Sequence, residues 1–186
     1  IVVKPAKNTG NPNFFKVLPQ NVEHIYTQFP EDRIRQKTIK LGTGLRYGSD
    51  FVDALEAINR GAAANAIQIL STSNFDVGDH QEINERLVVL SAESLGFSNS
   101  ILFKNILDRA QEVGLELCSA EVGPQWGLHK SGNGDYYIGM KPIGYIYTAY
   151  LFGIIDNLLC AIEHNSKFSI KDTFVCFKDG STLLIC

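Results

Sequence analysis

Apolar residues in the first part of this chain recur three and four positions apart, whereas from Trp126 onward they recur every second position. The first spacing lays one apolar stripe along a helix, and the second puts one apolar face on a strand. Residues 20–29, with Val22, Ile25, Tyr26 and Phe29 before Pro30, read as a short helix. Residues 50–60 read as another through Phe51, Leu55 and Ile58, and residues 62–70 as a third. The clearest helix spans 100–113, where Leu102, Ile106, Ala110 and Val113 form the stripe and Gly114 takes the place of a C′ glycine. Residues 87–90 are a compact strand, followed by a single turn that Ser91 can cap. The basic stretch 32–40 reads equally as strand or loop.

Strand signals dominate the rest. Residues 115–118 form one strand. Residues 126–129 and 136–140 flank a polar hairpin loop, and 145–152 pairs with 158–163 across Asp156-Asn157. Residues 173–178 and 181–185 flank Asp179-Gly180, a two-residue hairpin turn. Segregated elements of this kind predict an α+β fold: a helical N-terminal half packed on a mainly antiparallel C-terminal β-meander. Residues 1–18, rich in Asn, Pro and Gly, read as an N-terminal arm. A single domain then covers 19–186, helical over about 19–114 and β-rich over about 115–186. The absence of βαβ alternation argues against a doubly wound nucleotide fold.

Composition narrows the class. With 186 residues and 45% hydrophobic content, the chain can bury a core without disulfide or metal staples. Its net charge of −3 gives no general attraction to nucleic acid or anionic lipid. The longest apolar stretch, residues 145–155, is well short of the roughly 20 needed to span a bilayer. No membrane association is expected. The chain opens on Ile1 rather than Met, as a processed or trimmed product would, and shows no signal-peptide pattern. Cys118, Cys160, Cys176 and Cys186 make no CxxC pair, and His24, His80, His129 and His164 are scattered. No metal site and no cofactor are therefore expected. Cysteines within apolar stretches read as buried free thiols, which fits a reduced, cytoplasmic protein.

Three features could carry function. In the segment 40–49, Lys40, Gly42, Thr43, Gly44, Arg46 and Ser49 combine flexible backbone, nearby cations and a capped helix start, so it could hold a small anion. It matches neither GxGxxG nor GxxxxGK[ST], and a plain connector with a solvated basic edge is the simpler reading. In the segment 118–129, Cys118, Glu121, Gln125 and His129 could converge on a cleft, with Glu121 and His129 as catalytic candidates. No third group that would orient His129 is evident. Trp126, Tyr136, Tyr137, Tyr145, Tyr147, Tyr150 and Phe152 crowd one region, and Trp126, Tyr145 and Tyr147 could form an exposed aromatic surface. Few Lys or Arg accompany them, which disfavours nucleic acid as partner.

The stretch Leu115-Glu116-Leu117-Cys118-Ser119-Ala120-Glu121-Val122-Gly123-Pro124-Gln125 resembles a group of small uncharacterised bacterial proteins sharing an LELCxAEVGPQ-type segment. Asp108 to Gly114 and Ile138-Gly139-Met140-Lys141-Pro142-Ile143 are similar to that group's flanking helix and IGMEPI-like strand, as is Leu41 to Leu55 to its upstream region. The likeness covers about residues 40–143, departs from the pattern at Ser119 (Pro) and Lys141 (Glu), and fades after Ile143. It implies a bacterial origin and assigns no catalytic residue.

These residues point to a non-enzymatic module that binds a protein partner or a small anionic ligand. The alternative is a small metal-independent hydrolase or nuclease, toxin-like and acting on a phosphate-containing substrate. It would use some of His129, Glu121, Lys141 and Arg46. Self-association through the aromatic strands is a third expectation.

Overall fold

A computed structural model describes residues 35–78, 81–129 and 134–179. The elements run β1 (Arg35–Leu41), α1 (Gly48–Ala57), β2 (Gly61–Ala62), α2 (Ala64–Leu70), β3 (Ile83–Ser91), β4 (Ile101–Leu102), α3 (Phe103–Glu112) and β5 (Leu115–Glu116). They continue α4 (Val122–His129), β6 (Tyr136–Ile138), β7 (Ile143–Tyr145), β8 (Thr148–Ile155), β9 (Leu158–Glu163), β10 (Lys167–Phe168) and β11 (Thr173–Asp179). The expected arm over 1–18, the helix over 20–29 and the strand over 181–185 lie outside the described residues.

Nine strands form one mixed sheet in the order β1-β3-β11-β6-β8-β9-β2, with β5 added beside β11 and β7 beside β8. The β11–β6 and β2–β9 pairs are parallel and the others antiparallel. This corrects the expected architecture. The helices are interspersed among the strands, and no helical N-terminal half sits over a C-terminal meander. β1 and β3 come from the expected helical half. β11 inserts between β3 and β6, so the centre of the sheet is built from distant parts of the chain.

The largest local difference is α4, which replaces the expected strand at 126–129. Val122 through Gly127 are all buried, so the helix shows no polar face and its apolar residues lose helical periodicity. Gly123 and Pro124 do not end a turn there, as their types suggest. Instead Pro124 lies in the first helical turn, where its missing N–H costs nothing. A Cβ on Gly123 would lie 2.6 Å from the Phe152 ring, so glycine lets α4 lie directly on β8. At the other end Arg60 donates to the carbonyls of Gly127 and Leu128, and Lys37 Nζ donates to His129 O at 3.0 Å. Two cations thus satisfy terminal carbonyls and oppose the helix dipole.

Elsewhere the elements follow local chemistry. α3 starts at Phe103 because Ile101 and Leu102 pair with Phe168 and Lys167 instead of extending it. Ser91 caps the following turn by accepting from Ser94 N at 3.2 Å. Beyond the short β2, the edge of β9 is closed by Asn65, which donates to Ala161 O at 2.9 Å and accepts from Ala161 N at 3.3 Å. A side-chain amide there takes the place of a neighbouring strand.

Candidate functional site

Two of the segments singled out in the sequence meet in space. α4 places Glu121, Gln125 and His129 four residues apart along one side, and the loop after β1 docks against that side. Glu121 and Gln125 are fully buried. Glu121 Oε1 accepts from Gly42 N at 2.9 Å and from Gln125 Nε2 at 3.1 Å, and Gln125 Nε2 also donates to Thr43 Oγ1 at 2.6 Å. Gly42 and Gly44 reach this position with φ of +67° and +89°, a conformation that favours glycine. The loop is therefore clamped onto the buried helix by a carboxylate and an amide.

The remaining loop residues are engaged locally. Lys40 forms an exposed ion pair with Glu82 at 2.6 Å. The backbone N–H groups of Arg46 and Tyr47 donate to Asp50 Oδ2 at 2.8 and 3.0 Å. These bonds, the Tyr47 N–H first and then that of Arg46, hold the Asp50 carboxyl below its ordinary range, and the Ser49 hydroxyl adds to the effect. The helix begins at Gly48, so Ser49 sits in its first turn rather than at the cap. Gly48 serves packing: a Cβ there would stand 2.1 Å from the Leu70 carbonyl oxygen at the end of α2.

The catalytic candidates separate. Eight residues of helix place His129 roughly 12 Å along the axis from Glu121. His129 is exposed and its Nδ1 is hydrogen-bonded with Gln125 O at 2.9 Å; a carbonyl only accepts, so Nδ1 carries the proton. The aromatic surface also divides. Trp126, expected to be exposed, is 2% exposed, packed against Tyr136 with Lys37 Nζ 4.6 Å from its ring centroid. It belongs to the core because α4 is covered on all sides. Tyr145 is half-buried and Tyr147 fully exposed. Among the described residues no three His, Cys, Asp or Glu side chains gather to hold a metal ion. No helix there is long and apolar enough to cross a membrane.

A cleft opens beside the clamp, about 590 Å³ in volume. Leu41, Ile83, Leu117 and Val122 form its apolar walls, Glu85, Glu116 and Lys141 bring charges of both signs, and Cys118 and Ser119 complete the lining. Cys118 is held there by a hydrogen bond from its N–H to Gly139 O at 2.8 Å and a parallel bridge to Met140. Two parts of the chain distant in sequence thus dock on the 115–125 stretch here: the loop after β1 through the Gly42–Glu121 bond, and the Gly139–Met140 backbone through Cys118. Of the lining residues, only Cys118 and Lys141 stand out as candidates in the sequence. Ile83, an apolar residue 44% exposed at the start of β3, is conspicuous only once the fold is known.

No family model matches this chain, and searches of curated proteins and of solved structures returned no match.

Proposed function

We propose that this chain is a non-enzymatic binding module whose site is the cleft between the end of β1, the start of β3 and the segment 116–122. The observation that carries this reading is the cleft itself: aliphatic walls under a rim of mixed charge, in the size range of small-ligand sites. The polar groups that an enzyme would need are engaged in structure instead. Glu121 holds Gly42, His129 Nδ1 is bound to a backbone carbonyl, and the amides at the start of α1 are taken by Asp50. The occupant is apolar in its body, with Lys141 available to an anionic end. The sequence resemblance supports a bacterial source, and the free thiols of Cys118 and Cys160 suit a reducing cytoplasm.

The test uses Nile red, an uncharged dye whose emission shifts to the blue in apolar surroundings. One saturable site is expected, lost in Ser119→Trp and in Ile83→Glu and unchanged in Arg46→Ala. Saturable binding that Ser119→Trp leaves intact overturns the reading. So does cleavage of a short RNA that disappears in His129→Ala.

A further inference from the structure

The tip of the β7–β8 hairpin is the most exposed apolar feature among the described residues. Tyr145 pairs with Thr148, so the turn consists of Ile146 and Tyr147 alone. Ile146 is 73% exposed and Tyr147 100% exposed. Ile146 also has φ of +53°, a left-handed conformation in which a β-branched side chain is a true outlier. Tyr147 has no such conformation, so the positive φ falls at the first central residue only, the place that two-residue hairpins of this kind give to glycine. Among the described residues nothing offsets this choice, since both side chains are largely exposed to solvent. Strain that persists without an internal reason is grounds for seeking an external one.

Chemistry narrows the partner. From residue 142 to residue 155 the chain carries no charged side chain. A tip without Lys or Arg does not suit nucleic acid or an anionic membrane surface, both of which require cations around the apolar contact. It suits an apolar socket on a protein, and this chain has one. The cleft has aliphatic walls, room for two side chains, and polar groups in Ser119 and Glu116 that a tyrosine hydroxyl can meet. Lys141 lines the cleft and Ile146 opens the turn, so five residue steps, at most about 17 Å, separate socket from tip. Two copies related by a twofold axis can then exchange both tips across one interface. A net charge of only −3 per copy does little to hold them apart.

We infer that Ile146 and Tyr147 of one copy insert into the Leu41–Ile83–Leu117–Val122 cleft of a second copy, forming a reciprocal dimer. This rests on the cleft being a binding site, as proposed above. The interface belongs to the small class, so association is concentration-dependent.

Sedimentation equilibrium of the whole chain tests it, from about 1 to about 300 µM, the span suited to a small interface. The mass should rise from 20.6 kDa toward twice that value. The double variant Ile146→Gly, Tyr147→Ser should stay monomeric throughout without a lower Tm, because glycine relieves the turn. Ser119→Trp, which blocks the socket, should also stay monomeric. An equimolar mixture of the two variants should recover dimer, since one supplies the tip and the other the socket. A monomeric wild type overturns the inference, as does a Ser119→Trp variant that still dimerises or a mixture that does not associate. Nile red binding to the tip variant separates the two readings. If the dye binds the cleft while the wild type is monomeric, the cleft reading stands and the dimer falls. If the dye does not bind, both fall.

Discussion

Strand β8 ends in two very different turns. At one end Asp156 and Asn157 both take left-handed φ, +49° and +67°, as the favoured two-residue hairpin turn requires. These residue types tolerate that conformation because their short polar side chains bond locally. The turn is held further by Asp156 N donating to Asp135 Oδ1 at 3.1 Å. At the other end Ile146 occupies a glycine conformation with both turn side chains in solvent. One strand in one sheet therefore carries a relaxed turn and a strained one. The fold does not force strain on a β8 turn; the residues at 146 and 147 do.

A third connection sets the upper end of the scale. The loop after β1 also needs left-handed backbone, but there glycines supply it and a buried carboxylate secures it. Of the substitutions that test these three turns, Glu121→Ala should be the most damaging. It strands the Gly42 N–H and one bond of the Gln125 amide in a buried site, and each orphaned group costs about 1–3 kcal/mol. A loss of about 2–4 kcal/mol in urea unfolding is expected. A loss below about 0.5 kcal/mol, the level of an ordinary surface substitution, would show that the clamp does not hold the loop.

Next in size, Asn157→Ile copies the strained turn into the relaxed one. A β-branched residue in left-handed backbone costs about 1–3 kcal/mol, and Tm should fall accordingly. The converse, Ile146→Gly, relieves a penalty of that size but adds unfolded-chain entropy worth about 0.4–1 kcal/mol. The net is a gain of about 1 kcal/mol, read at a concentration low enough to keep the chain monomeric. A lower Tm for Ile146→Gly, or no change for Asn157→Ile, would erase the distinction between the turns.

The relaxed turn is legible in the sequence, and the strained one is not. Asp156-Asn157 announces a two-residue hairpin, whereas Tyr145-Ile146-Tyr147-Thr148 reads as uninterrupted strand. The same contrast holds across the fold. α1 and α2 show in the spacing of their apolar residues, and Gly114 ends up with φ of +89° at the end of α3. α4 leaves no periodic trace because it is buried on every side, and β11 reaches the middle of the sheet through pairings that local pattern does not encode. The candidate site divides likewise. Gly42, Thr43, Glu121 and Gln125 each stand out by type and position, but the bond from Gly42 to Glu121 joins residues 79 apart in sequence. The cleft draws its walls from β1, β3 and the 116–122 segment, and no single stretch contains enough of it to be seen.

The smallest effect expected separates a turn that senses acid from one that does not. Asp50 accepts N–H bonds from Tyr47 and Arg46, and its carboxyl is held below the ordinary range. A carboxyl with a depressed folded value contributes stability above its unfolded pKa of about 4 and loses it as pH falls through the folded value. Asp50→Asn should therefore narrow the stability difference between neutral pH and acid, leaving a flatter acid limb in thermal unfolding. The Asp50 carboxyl and its bonds lie at the surface, so solvent screening keeps the change modest. The turn at 145–148 contains no carboxyl group, and its strain lies in the backbone. Ile146→Gly should accordingly shift Tm by the same amount at neutral pH and in acid. Were its shift to vanish in acid, the cost at Ile146 would be electrostatic in origin, and the contrast between the two ends of β8 would need a different cause.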